Sequence, residues 1–213
     1  LNFSEAIKKN LLSDYRVAVI GIDNEMIFEM ISNRDLITTN GEQIFEAENL
    51  SSKIALIKAL KDYELKRVIS FHGRIKNAEK FANNLKQVLS LIDKSELPSG
   101  EMATEFISGE MSTAVRNEKI QRLKNTKQNE RRILTNARCL SEGVDVPTLD
   151  GIAFIDPKSS QVDIIQAVGR AIRKSEDKSY GTILIPVYLG KLENTAVKLS
   201  FERKFLSTGC LSI

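Results

Sequence analysis

Short apolar runs alternate along this chain with longer stretches of helical periodicity. The runs fall at Val17–Ile22, Val68–Phe71, Glu105–Ile107, Ile133–Thr135, Ile152–Ile155 and Thr182–Val187. Most lack strict apolar–polar alternation, which is how strands read when both of their faces are buried. Between them, Ala78, Phe81, Ala82, Leu85, Val88 and Leu89 recur at i, i+3, i+4, i+7, i+10 and i+11 and predict an amphipathic helix. Ser51 or Ser52 is placed to cap a helix carrying Ile54, Ile57 and Leu60. Ser112 or Thr113 is placed to cap another carrying Val115, Ile120 and Leu123. This rhythm predicts an α/β fold: an open parallel sheet with helices on both faces.

The punctuation sets the boundaries. The polar stretch Asn33–Asn49, with Gly41, and the stretch Asp93–Gly100, with Pro98, predict loops. The first fourteen residues read as a short helix and turn, so residues 1–16 are expected to be a connector. Residues 17–189 are expected to form the domain. Residues 190–213 are weakly patterned and read as a tail, with a helix expected over Glu193–Phe205.

Composition narrows the class. With 213 residues and 42% hydrophobic composition, the chain can bury a substantial core. No apolar run approaches the length of a membrane span, and the start carries no secretory pattern. The first residue is Leu1 rather than Met, which fits a segment of a longer polypeptide. Cys139 and Cys210 match no metal-ligand or redox spacing, so inert thiols in a reduced, cytoplasmic setting are expected. The lone His72 has no Cys or His near it in sequence, and no metal site is expected in the chain. The net charge of +3 permits a polyanionic partner without demanding one. From Lys119 to Arg132 six basic residues stand against one acid, Glu130. That stretch is either a solvated helix face or a surface turned to nucleic acid.

The chemistry concentrates between Gln166 and Arg173, which read Gln-Ala-Val-Gly-Arg-Ala-Ile-Arg. If the octet is helical, Gln166, Arg170 and Arg173 share an arc of roughly 60° on one face. Gly169 leaves room there for close approach. Guanidinium groups stay charged and fork onto phosphate oxygens, so the pair is a candidate set of arginine fingers for a triphosphate. The alternative is a basic surface helix with Ala167, Val168, Ala171 and Ile172 turned inward.

Two more segments fall at strand ends, where open parallel sheets place their ligand sites. Val68–Arg74 runs from a strand through Gly73 into the strongest helix, whose first amides suit a phosphate. Arg74 is either a helper there or a surface residue. In Ile133–Pro147, Thr135 ends a strand and offers a hydroxyl to a backbone phosphate. Gly143 lets main chain pass close to a ligand, and Asp145 is placed to accept from a ribose hydroxyl; the ordinary reading is a turn with an Asp cap.

Taken together, Thr135, Glu142-Gly143-Val144-Asp145-Val146-Pro147 and Gln166-x-x-Gly169-Arg170-x-x-Arg173 resemble motifs V and VI of the superfamily 2 helicases, in the family's order and spacing. Val68–Gly73 resembles motif IV. Ser108-Gly109-Glu110-Met111, with Arg116, resembles the segment between IV and V. The resemblance covers roughly residues 60–187, the second RecA-like motor domain. The phrases from Ala6 to Val17 and from Ser160 to Arg170 are similar to large bacterial DEAD/DEAH-type helicases allied to restriction–modification translocases.

The resemblance implies a P-loop NTPase fold, with ATP in a cleft between two such domains. The other domain would supply the P-loop and hold Mg2+. This one would supply Arg170, Arg173 and Gln166 as catalytic residues, with Gly143, Asp145 and Gly169 at the nucleotide. Phe71, Gly73, Gly109, Thr135 and Asn136 would face nucleic acid, DNA first, with RNA left open. An N-terminal RecA-like domain of the same polypeptide is the implied partner, and nuclease or methyltransferase domains are candidate neighbours. The sequence contains no Gly-x-x-x-x-Gly-Lys-Ser/Thr and no Asp-Glu-x-His or Asp-Glu-Ala-Asp. On this reading the chain is half a motor and is inactive alone. Two rivals stay open. One is a RecA-like module that only binds. The other is an unrelated doubly wound nucleotide-binding enzyme, which would want a Gly-rich turn where Gly21-Ile22-Asp23-Asn24 stands.

Overall fold

The apolar runs pair with one another. A computed structural model describes residues 3–31, 38–39, 42–43, 47–137, 149–156, 161–171, 173–174 and 180–190. In chain order the elements are α1 (Phe3–Lys8), β1 (Asp14–Asp23), α2 (Asn24–Met30), β2 (Thr38–Thr39), β3 (Glu42–Gln43), α3 (Ala47–Asp62), β4 (Arg67–Phe71), α4 (Ile75–Leu91), β5 (Glu101–Ser108), α5 (Thr113–Lys124), β6 (Glu130–Ala137), β7 (Gly151–Phe154), α6 (Gln161–Ala171) and β8 (Tyr180–Gly190). Six strands form one sheet in the order β1-β8-β7-β4-β6-β5, and every neighbouring pair in it is parallel. The expected open parallel sheet is therefore present.

Strand geometry explains why the central runs are largely apolar. Successive side chains point to opposite faces. Val68, Ile133, Ala153 and Leu184 enter a core shared with α2, α3 and α4. Their neighbours Ile69, Leu134, Ile152 and Ile183 enter a second core shared with α5 and α6. With helices on both sides, no position of these strands is left for a polar face. α4 buries Ala78, Phe81, Ala82, Leu85 and Val88, the stripe its periodicity predicts.

Several expectations change. α3 begins at Ala47, so Ser51 and Ser52 lie inside the helix rather than capping it. The stretch 33–49, read as a loop, contains the two-residue antiparallel pair β2–β3 and the first turn of α3. α2 was not expected; it starts because the Asp23 carboxylate accepts the Met26 N–H at 2.8 Å, an N-cap. Ser112 does cap α5, accepting from the Val115 N–H at 3.4 Å. Gly100 turns the chain into β5 with φ +89, and a Cβ there would sit 2.7 Å from the Asn129 carbonyl oxygen, so only glycine fits. The tail after residue 190, with its expected helix, lies outside the described residues.

The basic stretch resolves mostly into internal pairing. On β5, Glu105 accepts from Lys119 at 3.3 Å and Arg122 at 2.7 Å, while Glu130 holds Arg132 at 3.1 Å. Arg131 is buried and donates to the Leu65 carbonyl at 2.6 Å and the Ser99 carbonyl at 2.7 Å, bracing the lower ends of β4 and β5. Burial pulls its pKa below the usual guanidinium range.

Leu85 is fully buried between α4 and the sheet. Leu85→Ala should lower the unfolding free energy by about 2–5 kcal/mol, read from the urea midpoint at unchanged slope.

Candidate functional site

The chain leaves β4 toward β5 on one side and leaves β7 toward β8 on the other, so the carboxyl ends of β4 and β7 border a topological switch point. A polar cluster is built there. The Ile155 and Asp156 N–H groups reach the Phe71 carbonyl at 3.2 and 3.4 Å, which holds the two strand ends together. The Asp156 carboxylate then accepts the Gly73 N–H at 2.8 Å and the Asn77 side-chain amide at 3.1 Å. A cavity of about 250 Å³ opens beside these groups, walled also by His72, Lys80 and Tyr188.

His72 is the inner wall of this cavity. Its main-chain N–H donates to the Asn136 carbonyl at 2.9 Å. Its Nε2 shares a hydrogen bond of 3.0 Å with the Ser70 hydroxyl. The ring lies 4.8 Å from that of Phe81. Burial pushes its pKa down to about 4, against a partial lift from Asp156, with Lys53 adding to the depression. Lys53, fully buried with its ammonium 4.7 Å above the Phe81 ring, is itself held down to about 8, by burial first and then by Lys80. At neutral pH the imidazole is therefore uncharged.

The sequence-predicted nucleic-acid residues divide sharply. Gly73 and Gly109 are exposed at the ends of β4 and β5. Phe71, Thr135 and Asn136 are buried. The Thr135 hydroxyl donates to the Ala78 carbonyl at 2.8 Å, so it clamps β6 to α4 instead of offering itself to a phosphate. Phe71 stacks at 5.7 Å on Phe154 inside the α5/α6 core. The Gly73 amide is available only in competition with Asp156. Gly143 and Asp145 lie outside the described residues.

The arginine segment sits elsewhere. α6 packs under β7 and β8 through Ala167, Val168 and Ala171. Gln166 is exposed and Arg170 half-buried, one turn apart, with Gly169 between them half-buried. The helix is described over Gln161–Ala171 and Arg173 lies outside it in a bridge, which corrects the expected helical run through Arg173. Arg173 is exposed and its main chain forms an isolated antiparallel bridge with Leu12. The three side chains are thus two on a helix and one just past its end.

The helicase conserved C-terminal domain model matches residues 34–175, well over half of the chain. The chain belongs to that family. Among solved structures, this helicase domain is similar to the ATP-dependent Type ISP restriction–modification enzyme LlaBIII bound to DNA. That match has a TM-score of 0.75 and 29% identity, over 91% of this chain and 13% of that one. The Escherichia coli DEAD-box protein SrmB bound to a regulator of ribonuclease activity shares the fold at TM-score 0.50 and 24% identity, over 65% of this chain and 72% of that one. By sequence, 55 residues are 42% identical to Probable helicase A859L of African swine fever virus (isolate Pig/Kenya/KEN-50/1950), covering 26% of this chain and 6% of the relative. The helicase domain thus spans a small fraction of that relative and of LlaBIII. Among the described residues, no helix is long and apolar enough to cross a membrane.

Asp156 and Asn77 were missed by sequence reasoning. The one available signal was an acid directly after a buried apolar run, at the carboxyl end of a predicted strand. The His72 shift fixes a pH dependence. A depressed imidazole pKa favours folding above the unfolded value near 6.5, and that contribution is lost as pH falls toward 4. Unfolding free energies of the wild type should drop by up to about 3 kcal/mol between pH 6.5 and 4 from this group. His72→Asn should flatten that part of the profile.

Proposed function

We propose that this helicase domain is the second motor domain of an ATP-dependent nucleic-acid translocase or helicase. It would close onto ATP held by another RecA-like domain. The carrying observation is the arrangement at the end of α6: Gln166 and Arg170 one turn apart, with Arg173 exposed immediately beyond the helix. Two guanidinium groups and an amide suit the oxygens of a triphosphate. Arg170 and Arg173 offset the charge that develops on the transferring phosphoryl group, and Gln166 orients the attacking water or the fingers. Mg2+ would be held by the other domain on this reading. Gly143, Asp145 and Gly169 complete the nucleotide face on this reading. Residues 1–16 act as the connector, and residues 17–189 as the motor domain.

DNA is the track we favour, because LlaBIII, whose structure carries DNA, aligns over 91% of this chain. The same likeness supports nuclease or methyltransferase domains in the complete polypeptide. The strand is held at the carboxyl edge of the sheet by Gly73, at the start of α4, and by Gly109, in the turn after β5. Phosphate contacts of this kind position a strand without reading its sequence.

In the full-length protein, Arg173→Ala should lower ATP turnover by roughly 10³-fold or more while leaving DNA affinity within a few-fold. Undiminished turnover, measured by phosphate release, would remove the finger assignment. Residues 1–213 alone should release phosphate no faster than a protein-free control, and robust hydrolysis would show that the chain is not half a motor.

A further inference from the structure

Arg173 lies outside the described run of α6 and pairs with a segment remote in sequence. α6 is described over Gln161–Ala171, and Arg173 forms an isolated antiparallel bridge with Leu12. Leu12 lies two residues before β1, and its side chain packs against the same core that receives Ala167, Val168 and Ala171 of α6. The connector thus touches the arginine segment twice, through backbone pairing and through apolar burial.

How Leu12 arrives there is also set locally. At the end of α1 the Leu11 N–H donates to the Ala6 carbonyl at 2.9 Å and the Asn10 N–H to the Ile7 carbonyl at 2.8 Å. Asn10 has φ 59. These are the two bonds and the left-handed residue of a Schellman turn. The turn redirects the chain so that Leu11 is exposed while Leu12 turns onto the core. β1 then locks the exit, pairing in parallel with β8 from Asp14↔Tyr180 onward.

We infer that Leu12 is a positioning residue for Arg173, and that the Asn10 turn sets the register in which it does so. The inference rests on the reading of Arg173 as a finger. It assigns the connector a catalytic consequence: displacement of residues 10–12 moves the main chain of Arg173. Binding of ATP would be little affected, because the rest of the nucleotide face is untouched. The loss would fall on turnover, because a finger acts only when its fork meets the phosphoryl oxygens in register.

The test uses the full-length protein and steady-state phosphate release with ATP as the varied substrate. Leu12→Ala and Asn10→Val should each lower kcat by roughly 10- to 100-fold with KM for ATP unchanged, the size expected of small misplacements. Val is strained at positive φ and leaves the core untouched, so Asn10→Val keeps the test alive if Leu12→Ala unfolds. Leu12→Met and Asn10→Gly, which retain the apolar contact and the left-handed turn, should restore kcat to within about threefold, well inside the spread expected of a misplaced group. If Arg173→Ala is inactive but both disruptive variants keep wild-type kcat, or raise KM alone, the inference is overturned and the finger stands. If Arg173→Ala itself turns over normally, the finger reading and the inference fall together.

Discussion

Burial of the central strands on both faces is the constraint from which the rest follows. β4, β6, β7 and β8 place alternate residues in two separate cores, so each needs a helical layer above and below. Parallel strands joined by crossover helices supply both layers. Once every strand runs the same way, all carboxyl ends share one edge, and the reversal of chain direction between β4 and β7 opens a crevice there. Asp156 and Gly73 meet in that crevice because the topology brings the ends of β4 and β7 together there. The half-buried Arg170 and the exposed Arg173 come at the other end of a helix that runs back from this edge. The two candidate surfaces are therefore separated by the length of α6.

Much of this was legible in the residues themselves. The unalternating run Val68–Phe71 and the long stripe from Ala78 to Leu89 carry their own geometry, and both elements stand where the pattern put them. What escaped depends on partners remote in sequence. Thr135 reads as an open hydroxyl until the Ala78 carbonyl is placed over it. The basic residues after Lys119 read as a surface for a polyanion until Glu105, on the neighbouring strand, takes Lys119 and Arg122. Arg173 reads as one more helical position until Leu12 is brought against it from the far end of the chain. α2 failed for another reason: it has seven residues, too few for a periodicity to emerge, and its only local sign is the capping acid Asp23.

The polar cluster at the switch point has an electrostatic logic. A neutral imidazole and one carboxylate line the pocket together with the Phe81 ring, and the buried Lys53 ammonium lies 4.7 Å from the centre of that ring. An amide at the start of a helix is usually an invitation to an anion. Here Asp156 occupies it in advance, so an incoming phosphate must displace a charge already resident. On the proposed function, binding at this edge would be exchange rather than simple addition, which favours a hold that can be released.

The division of each central strand between two cores also bears on how such a domain can vary over time. A side chain in β4 can be exchanged for another of similar volume at modest cost. Adding or deleting one residue there would send Val68 to the core built for Ile69 and Ile69 to the core built for Val68, along the whole strand. Drift in length is thus barred from the sheet and confined to the connections at its two edges. Those are the places where relatives can diverge in size while keeping a common frame.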